Sequence, residues 1–529
     1  MTRTITAEAA KSRLHAGSEV AFLDVRNPAA FGEGHPLFAI PCPYAQLELS
    51  AVALVPRADC PILLIDDGDG IAERAARRLA NCGYGEVAVI EGGVPAWRAA
   101  GFALFAGVNV PSKTLGELLE HAHHPEMIDA PTLKRWQREG RHHLFFDARP
   151  PAEYAKMRIE GARCLPNGEL AHRLAAVLPD AQTPVVITCA GRTRGIVGAL
   201  GLKALGVANP VYALENGTQG WALAGFALDR GAVAAPFPEL GIEARTESRA
   251  RARQLAAAGG LSRIAVAQAQ ALLAERRRTT FLFDLRTAPE RAHRPVPGAV
   301  PVLTGQLVQA TDQYVGVRHA RLILIDDTGL RAGLAALFLK ALGFETHILA
   351  LDDEPDAPAP TVPVSALTVP PPLAPLSPQQ ALALFRDGVP LLDLRPSRDF
   401  EARRLAGARW ANRGMILGAL LPAGTRRVLL YGDAGAVAAA ALDLAEAGIG
   451  CDWLAADVAT CAAAGWAVDG ERRMMTREEA VDRVWFVHDR HDGNEAASRQ
   501  YLAWEMGLID QLDAQERASF GTIPPDVLG

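Results

Sequence analysis

The sequence predicts an α/β protein of four tandem domains, each a mainly parallel sheet flanked by helices, followed by a C-terminal extension. Three observations carry this expectation. A short apolar run ending in Asp-x-Arg occurs four times; a second apolar run follows each copy some forty residues later; and an Ala/Leu-rich stretch ending near Gly leads from there to a further short apolar run.

The first element reads Phe22-Leu23-Asp24-Val25-Arg26, then Phe145-Phe146-Asp147-Ala148-Arg149, then Asp284-Leu285-Arg286 and Asp393-Leu394-Arg395. A helical-looking stretch precedes each copy and polar residues follow it, as expected of a buried parallel strand that ends in a charged loop. The second element is the run 61–65, 184–188, 322–325 or 428–431, and the loops after it open at Asp67, Cys189, Asp327 and Asp433. These lie 43, 42, 43 and 40 residues beyond the respective aspartates. The third is a helical segment such as 195–206, and the fourth a short strand such as 87–90, which completes an alternating βα pattern.

The aspartates recur at intervals of 109 to 137 residues. Stacked repeats have periods of about 20 to 50 residues, so each copy is a domain in its own right. The domains are expected at 1–110, 111–235, 255–353 and 377–470. Residues 354–376, rich in proline, form an extended connector. Residues 471–529 lack the repeat signature and form the extension.

Composition sets the outer limits. A chain of 529 residues exceeds one hydrophobic core, and 49% hydrophobic with 22% charged residues is ordinary globular content. A net charge of -6 argues against nucleic acid as a partner. Neither a signal-peptide core at the start nor about 18 uninterrupted apolar residues elsewhere is present, so a cytoplasmic protein without a membrane partner is expected. The seven cysteines (Cys42, Cys60, Cys82, Cys164, Cys189, Cys451, Cys461) are scattered without a Cys-x-x-Cys pair, which signals neither a disulfide framework nor zinc. His121, His123, His124, His142 and His143 match no ligand spacing, and His488 to Asp492 reads as a helix-entry turn. No metal and no cofactor is expected.

Only the second copy puts a thiol at the strand end, in Thr188-Cys189-Ala190-Gly191-Arg192-Thr193-Arg194-Gly195. A loop from a strand's carboxyl end to a helix's amino end directs backbone N–H groups inward and adds the helix dipole, which favours a thiolate. Arg192 and Arg194 add two charges, so the Cys189 thiol is expected well below its usual pKa of about 8.5. The same groups match the oxygens of a small dianion. Aspartate in the other three loops supplies no thiol, so those copies are expected to be silent. The pairs Asp66-Asp67 and Asp326-Asp327 read as solvated loops.

Asp-x-Arg, an apolar strand, Cys-x4-Arg and then Gly217-Thr218-Gln219-Gly220-Trp221 together resemble the rhodanese family, a likeness that extends over roughly residues 1 to 470. Four rhodanese-like repeats are thus implied, only the second catalytic. By position the resemblance makes Cys189 the persulfide-forming nucleophile. Ala190, Gly191, Arg192, Thr193 and Arg194 become the substrate-binding loop, and Asp147, Arg149 and Trp221 structural supports. It implies a small anionic sulfur donor, thiosulfate first, and a cyanide, thiol or protein acceptor, with double displacement through Cys189. The alternatives are a 3-mercaptopyruvate sulfurtransferase and a partner-dependent sulfur relay or persulfide-binding protein. A phosphatase or arsenate-reducing enzyme resembles Cys-x5-Arg, one residue longer. Cys164 reads as packing, with a resolving thiol as the rival, and Asn167, Gly168 and Glu169 as the rim of the entrance.

Overall fold

The computed structural model describes residues 3–416 and 420–528. The chain divides into two compact units, one of Met1–Leu14, Val20–Val108 and Ser365–Phe486, the other of His15–Glu19, Asn109–Val364 and Val487–Gly529. Among the described residues no helix is long and apolar enough to cross a membrane.

The first unit holds two parallel sheets. One runs in the order Arg3–Ile5, Val87–Ile90, Ile62–Ile65, Val20–Asp24, with Ile40–Pro41 beside the last. The other runs Pro375–Leu376, Gly450–Leu454, Arg427–Tyr431, Leu391–Asp393, Arg409–Trp410. The second unit repeats this order twice. Met127–Ile128, Val211–Leu214, Val185–Thr188, Leu144–Asp147 and Arg163–Cys164 form one sheet, and Ser262–Arg263, Glu345–Ala350, Arg321–Asp326, Thr280–Asp284 and Val300–Pro301 the other. Helices between the strands cover the sheets, which explains why the central strands are apolar without alternation. Val20–Asp24 and Arg321–Asp326, for example, are buried at every residue.

The Asp-x-Arg motif is an internal fork. Arg149 Nε and Nη2 donate to the Asp147 carboxylate at 2.9 and 2.6 Å, while Nη2 also reaches the Met157 carbonyl at 2.6 Å. Arg26, Arg286 and Arg395 repeat the geometry, each on its own aspartate and on a carbonyl eight residues further on. A buried pair thereby ties the strand end to the next loop, satisfying both charges where no water is available. Trp221 is buried, its indole N–H donating to the Ala227 carbonyl at 3.0 Å, and Trp97 does the same to Ala103.

Strand pairing corrects the sequence register. Asp24, Asp147, Asp284 and Asp393 lie opposite Ile65, Thr188, Ile325 and Tyr431. The counterparts of Cys189 are therefore Asp66, Asp326 and Gly432, each one residue before the position that spacing had singled out. Nor are the aspartate pairs solvated loops. Asp66, Asp326 and Asp327 are buried, and the exposed Asp67 pairs with Arg26 at 3.0 Å.

Candidate active site

Cys189 follows the buried strand Val185–Thr188, and the helix Thr193–Ala204 begins four residues later. That helix is apolar and buried through its first ten residues, so it is anchored by packing on all sides. It starts earlier than the sequence pattern implied. Thr193 and Arg194 stand in its first turn, and the loop proper is only Cys189 to Arg192.

A second loop of the same domain braces the first. The backbone N–H groups of Thr218 and Gln219 donate to the carbonyls of Cys189 and Ala190 at 2.8 and 3.2 Å. The Gln219 side-chain amide reaches the Ala190 carbonyl as well, at 3.2 Å. This approach requires Gly217, which has φ +53° and whose Cβ, if present, would lie 2.2 Å from the Cys189 carbonyl oxygen. Gly217→Ala is accordingly expected to destabilise the second unit by about 1–3 kcal/mol and to displace the active loop, read as a lower urea midpoint together with slower alkylation or turnover at Cys189.

Both arginines are already paired. Arg192 donates through Nε and Nη2 to Glu117 at 2.9 and 3.1 Å and also bonds Glu120. Arg194 forks onto Glu153 at 2.8 and 2.7 Å. The loop therefore carries no surplus positive charge, contrary to the expectation from sequence. Cys189 itself is 3% exposed, its Sγ set 3.7 Å from the Arg192 carbonyl. Burial pushes this thiol above its usual pKa, against the opposing pull of Arg194 and of the Gly195 and Gly191 amides. The expected depression is thus overturned, because desolvation outweighs the pull of Arg194 and the loop amides.

Other assignments move too. Asn167 donates to the Arg194 carbonyl at 2.9 Å, and Glu169 pairs with Arg173 and Arg331 in the interior, so neither lines an entrance. Cys164 Sγ lies 3.5 Å from the Arg149 carbonyl, and burial pushes its thiol up to about 12.

Sequence reasoning missed several neighbours of the loop, Glu117 and Glu120 among them. Glu153 had a usable signal, since Glu290 stands in the third repeat at the same 41-residue distance from Arg331 as Glu153 from Arg194. Tyr501 and Glu505 had none. They reach the site from the helix Glu495–Met506, where Lys113 Nζ donates to the Tyr501 hydroxyl at 2.5 Å and the Thr193 hydroxyl donates to Glu505 at 2.7 Å. Beside them opens a cleft of about 220 Å³, lined among others by Thr218, Gln219, Arg230, Arg490 and Ser498.

The family model of the rhodanese-like domain matches residues 6–100, 129–224 and 265–353. A crystal structure of a thiosulfate sulfurtransferase from Pseudomonas aeruginosa is 36% identical and superposes with a TM-score of 0.90, over 99% of this chain and 100% of that one. The Alr3790 protein from Anabaena sp. is 28% identical over 20% of this chain and 93% of its own, with a TM-score of 0.19. No curated protein matches the chain.

Proposed function

The chain belongs to the rhodanese family, and from that premise we propose that it is a sulfurtransferase which takes sulfane sulfur from thiosulfate and passes it to cyanide or a thiol through a persulfide on Cys189. The observation that carries this reading is the place of Cys189. It alone of the seven cysteines stands at the head of a strand-to-helix loop, with the Gly191 and Gly195 amides and the Arg194 charge acting on its sulfur. The related Pseudomonas aeruginosa protein, which matches over its full length, bears the name of the same activity.

Chemically the loop suits two displacements. Deprotonated Cys189 attacks the outer sulfur of thiosulfate, forming one sulfur–sulfur bond as another breaks, and sulfite departs with the bonding electron pair. The acceptor then attacks the outer sulfur of the persulfide, and the Cys189 thiolate is released. Neither step needs an external oxidant. Amides and Arg194 stabilise the sulfur anion that starts and ends the cycle. In the other copies Asp66, Asp326 and Gly432 occupy the nucleophile's position and supply no thiol.

Intact-mass measurement after thiosulfate and then cyanide tests the proposal. The expected result is a gain of one sulfur atom, mapped to the peptide holding Cys189, lost on cyanide addition with formation of thiocyanate. Absence of the adduct would remove thiosulfate as donor and bring forward 3-mercaptopyruvate or a partner protein's persulfide.

A further inference from the structure

The helix Glu495–Met506 places Tyr501 and Glu505, one turn apart, against the Cys189 loop. Glu505 is 1% exposed. Its Oε1 accepts the Thr193 hydroxyl at 2.7 Å. Its Oε2 is buried without a hydrogen-bond partner among the described residues and lies 3.2 Å from where a Cβ on Gly191 would sit. The neighbouring ammonium of Lys113 donates to the Tyr501 hydroxyl. A carboxylate so placed opposes any second anion in the loop, the Cys189 thiolate included.

The other copies supply a comparison. Asp66 fills its own loop, accepting the Gly68 and Ala72 amides at 2.9 Å each. Asp326 likewise accepts the Asp327 and Arg331 amides at 2.8 and 2.9 Å. The fourth copy has Gly432 at this position. Each of these carboxylates is fixed to the loop it occupies. In the second copy the corresponding residue is the cysteine, and the carboxylate arrives from a segment 312 residues beyond Thr193, tied to the loop by one hydroxyl.

We propose that Glu505 is a specificity-determining residue, the removable counterpart of these fixed carboxylates, which an anionic sulfur donor must displace from the mouth of the Cys189 loop. The proposal rests on the sulfurtransferase reading of that loop. Glu505 sets the charge selection of the site: a dianion meets its opposition in full, while a neutral reagent meets only the obstruction of the helix. The adjoining cleft, with Arg230 and Arg490 in its lining, is the side from which a displacing anion enters.

The test compares alkylation of Cys189 by iodoacetate and by iodoacetamide, mapped by peptide mass, in the full-length protein and in Glu505→Gln. The neutral reagent reports access alone, and the ratio of the two rates reports charge. Glu505→Gln is expected to raise the iodoacetate-to-iodoacetamide ratio about tenfold and to lower KM for thiosulfate by a similar factor. Glu505→Ala, with its smaller side chain, is expected to raise the same ratio, so a single misfolded variant does not leave the matter open. An unchanged ratio in the folded variants overturns the assignment of Glu505. Because alkylation needs no turnover, a raised ratio supports it even if thiosulfate proves not to be the donor.

Discussion

Replacing Arg331 with methionine is expected to destabilise the second unit by about 3–5 kcal/mol, the largest stability effect we foresee for a single side chain. Arg331 is fully buried. It donates to Asp326 at 2.7 Å, to Glu169 at 2.9 Å and to Glu290 at 2.7 Å, and Asp326 and Glu169 are as buried as the guanidinium itself. Methionine fills much of the volume but leaves Asp326 in the interior without its cation and Glu169 and Glu290 with Arg173 alone, and an unpaired buried charge costs far more than the intact pair contributes. Urea unfolding followed at several pH values checks this.

The sign of the pH effect follows from Glu290 and Asp326. Burial pushes both carboxyls up, yet Arg331 prevails and holds them below the ordinary range. Their contribution is therefore fully present above the unfolded value of about 4 and is lost as pH falls through the lower folded values. The gap between wild type and Arg331→Met should narrow on acidification below about pH 4. A gap that is small at neutral pH, or that widens in acid, would contradict the network as described.

The loops at the strand ends show what the sequence disclosed and what it concealed. Four Asp-x-Arg copies were legible because an apolar run ending in a charged pair is a buried strand with a satisfied end, and the fork within each pair needs only two residues of sequence. Cys189 was legible because it alone put sulfur into a loop that otherwise holds carboxylate or glycine. The register of the silent loops was not, since counting from Asp147 to Cys189 and from Asp24 to Asp67 differs by one residue, and only strand pairing shows that Asp66 is the true counterpart. Charge balance was hidden for a different reason. Arg192 finds Glu117 75 residues earlier and Thr193 finds Glu505 312 residues later, distances over which neither periodicity nor composition carries a signal. Reading the loop as doubly cationic followed from its own residues, and folding brought in the acids.

That balance makes Arg194 the decisive cation of the site. Arg194→Ala is expected to lower kcat/KM for thiosulfate about a hundredfold at neutral pH, as loss of a single preorganised charge at a developing anion commonly does. Arg194 is the foremost group offsetting the burial that pushes the Cys189 thiol up, so its removal lets burial push the thiol further. At a fixed neutral pH the thiolate fraction then falls, and the rate of persulfide formation falls with it. The deficit should shrink as pH rises and the thiol is deprotonated by the medium.

Two controls separate this role from simple support of the loop. Arg194→Ala strands Glu153, whose carboxyl burial pushes up but Arg194 holds below its usual range. The double variant Arg194→Ala with Glu153→Gln removes that unpaired charge and should recover stability without recovering rate at neutral pH. Arg194→Lys keeps a positive charge but loses the two-pronged contact with Glu153, so it should restore part of the rate and most of the pH profile. A double variant that regained wild-type kcat/KM, or a pH profile unmoved by Arg194→Ala, would show that Arg194 serves the loop's shape rather than the sulfur anion.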